Sequence, residues 1–222
     1  MTLSLGARGP VPGHGAAARL WQGDDVFVLG RPSDARLTAL LAQVHGTPLT
    51  YDLAGMTADA AAGRDDDPPP GFRAVRASRT VGSGSDDFAA ACDGIRRWQL
   101  HRGQGFRVEP ADAAVAPGTE VVTVVRLGGP VHVLAACRIV WTVDEDDRFG
   151  FAYGTLGVHP ASGEEAFVVE RAASGDVVAR VVAFSRPHHP LARLGGPITR
   201  RQQAVATEGY LEALDRHVHG AT

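Results

Sequence analysis

The segment from Phe149 to Pro187 limits the fold of this chain more narrowly than any other. It contains three strand-like stretches in succession, at Phe149–Leu156, Glu165–Arg171 and Val177–Ser185. The turn residues Ser174-Gly175-Asp176 separate the last two. Strand-like stretches joined by such short turns are typical of antiparallel hairpins. The segment therefore predicts three antiparallel strands that lie side by side.

The rest of the chain supplies more strands and a few helices. Further strand candidates precede the segment at Val26–Gly30, Phe72–Val81, Val108, Val121–Leu127 and Val131–Val143. Three helices are predicted. The first is Ala35–Val44, with cap residues at Pro32-Ser33-Asp34; the second is capped by Ser85 or Asp86; and the third runs from Pro197 to about Val218. A meander of strands followed by one long helix predicts an α+β fold in a single domain.

Four segments, taken in order, resemble a known family. They are LTYDLAGMT (Leu49–Thr57), PPPGFRAVRASRTVGSGSDDF (Pro68–Phe88), the helix-like RRWQLHR (Arg96–Arg102) and Phe149–Pro187. Their order and spacing resemble the DUF1990 family, also called UPF0548, found in actinobacteria and plants. The resemblance covers roughly Val26–Val218 and implies a shape rather than a reaction, because that family has no agreed function.

The order of elements also resembles the helix-grip layout of START and Bet v 1-like proteins. In that layout a curved antiparallel β-sheet is wrapped around a long C-terminal helix, with an apolar cavity between them. A lipocalin-like closed barrel is the alternative, and the length and amphipathicity of the terminal helix argue against it. We assign the domain to residues 26–219 and interpret residues 1–25, rich in Gly, Ala and Pro, as a flexible N-terminal extension.

Composition excludes several classes of function. The formal net charge of −3 offers no general attraction to nucleic acid or to an anionic membrane. All 22 basic residues are arginine, so Schiff-base chemistry, a PLP-binding lysine and a P-loop lysine are excluded. The histidines lack metal-ligand spacing, and we expect neither a metal nor a cofactor. Cys92 and Cys137 lie in apolar surroundings and are expected to be buried, inert thiols.

The sequence also bears on location and partners. No apolar run approaches the roughly 18 residues that a membrane helix requires, and the start does not resemble a signal peptide. We therefore expect a cytoplasmic protein with a small-molecule ligand or substrate, no nucleic-acid partner and no membrane span. The sequence also allows a homodimer.

Period-two alternation predicts which strand residues face the cavity. His132, Arg138 and Thr142 share one parity in Val131–Val143, which places residues of the other parity, including Trp141, inward. The same reasoning assigns further residues to the inner face, namely Phe151, Tyr153, Thr155, Glu165, Phe167 and Ser185. A bulge of one residue would invert such an assignment.

The terminal helix is predicted to face the sheet with small residues. Its stripe, about 100° wide, consists of Ile198, Gln202, Val205, Ala206, Gly209 and Ala213. Small residues there would leave volume for a ligand beside Gln202 and Gly209. In the alternative, Trp141, Phe151 and Phe167 fill that volume.

Two charged positions carry the predicted chemistry. Burial beside Tyr153 would raise the pKa of Glu165 and suit it as a general base or acid. Glu164 is expected on the outer face and exposed, so its replacement by Gln should be nearly silent. Arg186 is predicted either to hold a carboxylate or phosphate of a ligand, or to lock the Gly-Glu-Glu turn by a salt bridge.

Two hypotheses about function follow. In the first, the protein binds a small apolar or amphipathic molecule between the sheet and the terminal helix. In the second, the same cavity is a cofactor-independent cyclase, isomerase or dehydratase of small-molecule secondary metabolism, with Glu165 as the proton-transfer group and Tyr153 beside it. Ionisable groups that converge inside the cavity would favour the enzyme, and an entirely apolar cavity would favour the carrier.

Overall fold

A computed structural model describes residues 26–64, 67–189 and 196–220 of the chain, with backbone alone for 196–203. The segment interpreted as an N-terminal extension, residues 1–25, lies outside the described residues. The side chains of Ile198 and Gln202, two members of the predicted stripe, lie outside them too.

The described residues form eight strands and five helices. The strands are β1 (Phe27–Leu29), β2 (Arg73–Ser83), β3 (Arg107–Glu109), β4 (Glu120–Gly128), β5 (Val131–Asp144), β6 (Arg148–Thr155), β7 (Ala161–Arg171) and β8 (Asp176–Pro187). The helices are α1 (Asp34–Val44), α2 (Ala58–Ala61), α3 (Gly84–Arg96), α4 (Gln99–Arg102) and α5 (Gly196–Val218).

The strands form one curved antiparallel sheet in the order β2-β8-β7-β6-β5-β4-β3, and β1 pairs with β5. Consecutive strands from β3 to β8 are neighbours, as the short turns between them predict. The order has two ends, β2 and β3, which do not pair with each other in the described residues. The sheet is therefore open, and the closed-barrel alternative is wrong.

Helices α3, α4 and α5 pack on one face of the sheet, here called the inner face. The largest fully buried side chains between them and the sheet are Trp98, Phe151, Phe167, Ile95, Leu100, Ile139, Leu211 and Leu214. The outer face is covered as well, by α1, which packs with side chains of β1, β4 and β5, and by α2 over β6 to β8. A curved sheet around a C-terminal helix in a single domain confirms the predicted fold class.

The motif Arg96–Arg102 is not one helix. Trp98 adopts a left-handed backbone conformation with φ of 60°, which separates α3 from α4. This conformation is strained for a bulky residue, and burial of the indole offsets the strain. The indole is 1% exposed, and its Nε1 donates to the Ala113 carbonyl at 2.9 Å. The break turns α4 so that His101 is fully buried against the sheet.

A bulge in β5 overturns the prediction for Trp141. Ile139 pairs with Tyr153 and Trp141 pairs with Ala152, so Val140 is an extra residue. The extra residue inverts the alternation that follows it. Trp141 consequently packs in the outer cluster with Ala152 and Ala166 instead of facing α5.

The buried stripe of α5 also differs from the prediction. Val205 is 64% exposed, whereas Tyr210, Leu211 and Leu214 are buried against the inner face. The true stripe is rotated toward these larger residues, and Ala206 and Ala213 lie at its sides. The part of the helix with described side chains therefore fills the interior with large side chains, contrary to the small-residue prediction. Over the described part of the chain, no helix has both the length and the apolar character needed to cross a membrane.

Candidate functional site

The site is built around β7, where two consecutive glutamates point to opposite faces of the sheet. Glu165 pairs with Tyr153 of β6 and Ala183 of β8, whereas Glu164 pairs with Gly154 and Phe184. Because side chains of a strand alternate, Glu165 shares the inner face with Tyr153. Glu164 is 1% exposed on the outer face.

On the inner face, three polar side chains form a chain of hydrogen bonds. The Tyr153 hydroxyl donates to Glu165 Oε2 at 2.9 Å. His101 Nε2 lies 3.2 Å from the same hydroxyl oxygen. The ring of Tyr210, on α5, lies 4.8 Å from the His101 ring. Strands β6 and β7 and helices α4 and α5 thus each contribute one member of a polar cluster, which consists of the buried Tyr153, His101 and Tyr210 and the partly exposed Glu165.

Burial shifts the pKa of each member of this cluster in the direction that favours the neutral form of the side chain. Desolvation raises the pKa of Glu165 to about 7, against a smaller opposing effect of the hydrogen bond from Tyr153. Desolvation lowers the pKa of His101 to about 3, with a further contribution from Arg102. Desolvation, together with the Glu165 charge, raises the pKa of both Tyr153 and Tyr210. Near pH 7, Glu165 is the member of the cluster whose charge changes.

The direction of the hydrogen bonds depends on the charge of Glu165. When Glu165 is ionised, the Tyr153 proton points to it, and His101 must donate from Nε2 to Tyr153. His101 Nδ1 then carries no proton; this buried atom has no partner among the described residues. When Glu165 is protonated, its own proton can point to Tyr153, and the chain of donors reverses. The charge of Glu165 therefore sets the direction of the hydrogen bonds as far as His101.

The aromatic residues predicted to line a cavity form a packed core instead. Phe151 and Phe167 are fully buried with ring centroids 5.3 Å apart. The Phe167 centroid also lies 5.1 Å from that of His101 and 5.0 Å from that of Tyr210. These rings support the polar cluster from one side, and most of their surface is used against one another.

Solvent reaches the inner face at one end of β7 and β8. Glu165 and Ser185 are partly exposed there, whereas Phe167, Val169 and Val181 are fully buried further along the same two strands. Along β7 and β8, the accessible end of the inner face is thus the end that carries Glu165, and Phe167 lies in the buried part.

Other predicted ligand residues lie elsewhere. Thr155 Oγ1 accepts from the Gly163 amide at 3.0 Å and bonds the Thr50 hydroxyl, so it ties a loop to the sheet. A Cβ at Gly209 would clash with the side chain of Gln104. Gly209 therefore borders α4's C-terminal turn, and not an open space.

Arg186 neither faces the interior nor locks the Gly-Glu-Glu turn. Its guanidinium lies 4.7 Å from the centroid of the Phe72 ring, and the residue is exposed. In the described residues, it forms no ion pair with Glu164 or Glu165. The predicted salt bridge at this turn is therefore wrong.

Glu164 has a structural role that differs from the one predicted from the sequence. Its carboxylate accepts from Tyr51 Oη at 2.8 Å, from the Gly55 amide at 2.7 Å and from the Thr57 amide at 3.0 Å. The Thr57 hydroxyl and Trp141 Nε1, at 3.1 Å, also donate to it. Five donors satisfy this buried carboxylate, which holds the loop before α2 on the outer face. The expectation of an exposed, silent Glu164 is therefore wrong.

Sequence reasoning missed His101, Tyr210 and Tyr51. His101 lies within the motif RRWQLHR, three residues after Trp98, and this proximity was the available signal. Tyr210 lies four residues after Ala206 and three before Ala213, so the helical period alone would place it beside the predicted stripe. Tyr51 reaches Glu164 across more than a hundred residues of sequence, and nothing local indicates that contact.

A profile of the family described as "Domain of unknown function (DUF1990)" matches residues 50–213. The chain belongs to this family. The match contains Tyr51, His101, Tyr153, both glutamates and Tyr210. It confirms the resemblance seen in the sequence motifs.

Several UPF0548 proteins are similar to this member of the family. One from Deinococcus radiodurans is 32% identical over 202 residues, which cover 86% of this chain and 98% of the relative. One from Arabidopsis thaliana is 30% identical over 159 residues, which cover 68% of this chain and 76% of the relative. A third, from Dictyostelium discoideum, is 25% identical over 190 residues, with 79% and 88% covered.

Solved structures also show similarity. The protein TTHA0849 from Thermus thermophilus has a TM-score of 0.49 and 16% identity, covering 68% of this chain and 99% of that chain. Ara h 8.0201 has a TM-score of 0.46 and 14% identity, also covering 68% of this chain and 99% of that chain.

Proposed function

We propose that this protein binds a small apolar or amphipathic molecule between the inner face of the sheet and the first turns of α5, with Glu165 as its polar contact. One observation carries the proposal. Glu165 is a partly exposed carboxylate at the end of β7 that solvent reaches, and it lies beside the apolar core of the inner face. Ligand sites in proteins typically combine apolar walls with a few placed polar groups.

The proposed site is smaller than the sequence predicts. Phe151 and Phe167 would support its floor rather than line it, because they are buried among other rings. Ser185 would form its rim beside Glu165, since both are partly exposed on neighbouring strands. The predicted contact with Gln202 remains a proposal.

Binding can be tested with a neutral apolar fluorophore, N-phenyl-1-naphthylamine, whose emission rises in apolar surroundings. The purified protein should enhance its fluorescence saturably. Ser185→Trp should abolish the enhancement by filling the accessible end of the inner face. Arg186→Trp is the matched control, because its exposed side chain lies on the other face. Equal fluorescence for both variants and the parent would refute binding at this end.

A second candidate function is proton-transfer catalysis at the same place, as in a cofactor-independent cyclase, isomerase or dehydratase. The specific observation that favours it is the hydrogen-bonded series from Glu165 through Tyr153 to His101. A carboxyl group with a pKa of about 7 is suited to give or take a proton near neutrality. The test is whether a metabolite that accumulates on gene deletion also accumulates with Glu165→Gln; normal metabolite levels would exclude catalysis by this residue.

A further inference from the structure

The two glutamates of β7 differ in how completely their carboxylates are satisfied. Glu164 receives five hydrogen bonds. Glu165 receives one, at Oε2 from Tyr153; within the described residues, no hydrogen bond reaches Oε1. No cation pairs with Glu165 in that part of the chain either. Oε1 is not among the buried atoms that lack a partner, so it reaches solvent at the accessible end of the inner face and can accept from a molecule bound there.

From this difference we infer that the ligand is an apolar amine, whose ammonium group pairs with Glu165. The inference rests on the proposed binding function and specifies its ligand class. A carboxylate accepts hydrogen bonds and donates none when ionised, so it selects a ligand that donates. An ammonium group supplies both donors and the missing positive charge. A carboxylate ligand would place two like charges together and is disfavoured.

The buried rings fix the position of Glu165. Tyr153 donates to its Oε2, and the ring of Phe167 packs against the rings of both Tyr153 and Tyr210. The partly exposed position of Glu165 gives an ammonium group a path from solvent.

The charge of the site near neutral pH depends on Glu165 alone among its described neighbours. The titratable groups around it are Tyr153 on β6, Cys137 on β5, His101 on α4 and Tyr210 on α5. Burial raises the pKa of both tyrosines and of the Cys137 thiol, and lowers that of His101 to about 3. All four are therefore neutral between about pH 5.5 and 8.5, an interval that lies well above the lowered pKa of His101 and below the raised pKa values of the other three. Glu165 is protonated at the lower end of this range and ionised at the upper end.

The test uses three probes of equal chain length: octylamine, 1-octanol and octanoate, titrated by calorimetry into the full chain. A charge-assisted hydrogen bond contributes enough for about a tenfold or greater preference in Kd. At pH 8.5, octylamine should bind about tenfold or more tightly than octanoate, with 1-octanol between them. At pH 5.5 the preference for octylamine should largely disappear. An alkyl ammonium, similar to a lysine side chain with its pKa of about 10.4, stays charged at both values.

Glu165→Gln should remove the preference for octylamine at pH 8.5. The control is Glu170→Gln, because Glu170 is a partly buried carboxyl on the same strand that pairs with Arg180. This control variant should keep the preference for octylamine. The pH comparison on the parent protein remains decisive if Glu165→Gln fails to fold. Equal or tighter binding of octanoate, or an octylamine preference that survives Glu165→Gln, would overturn the inference. Binding of N-phenyl-1-naphthylamine together with equal binding of the three octyl probes would overturn the inferred ligand class and leave the proposed binding function standing. Failure of all four probes to bind would overturn the proposed function with it.

Discussion

Glu164 and Glu165 are consecutive residues of β7, yet Glu164 accepts from Tyr51 on the outer face and Glu165 accepts from Tyr153 on the inner face. Both contacts are close to ideal in length, at 2.8 Å and 2.9 Å. One strand therefore carries a structural anchor and a candidate site at adjacent positions. Replacing each glutamate separately distinguishes the two roles.

Replacing Glu164 by Gln should destabilise the fold. An amide keeps one acceptor but turns a donor group toward the five donors around it, and buried donors without a partner are costly. We expect a loss of about 3 kcal/mol in the free energy of unfolding, measured by urea denaturation. Glu170→Gln, with its weak ion pair to Arg180 at 3.9 Å, should cost less than about 0.5 kcal/mol. Equal losses in the two variants would show that the anchor contributes little.

Replacing Glu165 by Gln should change how stability depends on pH. The folded-state pKa of about 7 lies above the unfolded value near 4.5. The folded protein thus binds more protons than the unfolded chain between these values. Glu165 therefore lowers the free energy of unfolding as pH rises through this window, and the penalty is complete above pH 7.

The Glu165→Gln variant lacks this penalty. Its stability relative to the parent should increase from pH 4.5 to pH 8, by roughly 1–3 kcal/mol after allowance for the partial exposure of Glu165. Urea denaturation of both proteins at several pH values measures the difference, which cancels the contributions of other groups. A difference that does not vary with pH would mean that Glu165 is ordinarily solvated.

His101 should remain neutral throughout the physiological range. Burial lowers the pKa of its ring to about 3, whereas the exposed His219, which bonds Asp215, has its pKa raised. In NMR spectra of histidine-labelled protein, the His101 resonances should not titrate between pH 5 and pH 8, and those of His219 should. Titration of His101 with a midpoint near 6.5 would show that its environment is wet and would remove it from the buried series.

Gly154 should be coupled to the Glu164 anchor. A Cβ at this position would collide with the Tyr51 hydroxyl and come within 3.0 Å of Tyr51 Cε1 and Leu49 Cδ2. Gly154→Ala should therefore push Tyr51 away from Glu164 and cost about 1–3 kcal/mol. Because Tyr51→Phe removes the same hydrogen bond, the double variant should lose less than the sum of the two single losses.

The control for this cycle is Gly150→Ala. Its new methyl group would meet the Phe167 carbonyl and Val168, and not Tyr51. Its loss of unfolding free energy should add to that of Tyr51→Phe when the single and double variants are compared by chemical denaturation. If the losses of Gly154→Ala and Tyr51→Phe are also fully additive, Gly154 is not coupled to the hydrogen bond between Tyr51 and Glu164.

The sequence predicts the sheet well because alternation and turn residues are local signals. The three strands from Phe149 to Ser185, their antiparallel order and the inward position of Glu165 beside Tyr153 follow from period two alone. The start of α1 is equally local, since the Ser33 side chain accepts from the Arg36 amide at 3.3 Å.

The remaining features depend on contacts between distant segments or on breaks in the period. The left-handed Trp98 divides a motif whose composition is helical throughout. The loop that contains Tyr51 covers Glu164 only after the sheet has formed, so the sequence around Glu164 indicates an exposed pair. In α5, the predicted buried stripe is rotated about the helix axis relative to the observed one. Polar residues flank both sides of the observed stripe, so the sequence pattern does not locate its centre.

The extra residue at Val140 reverses which side chains of β5 face the helices from that point onward. Deleting Val140 would restore the alternation and shift one flank of β5 by a residue, which exchanges the faces of the side chains on that flank. No single substitution in β5 could produce that exchange. The number of residues between Ile139 and Trp141 therefore sets which face the side chains in the later part of β5 occupy.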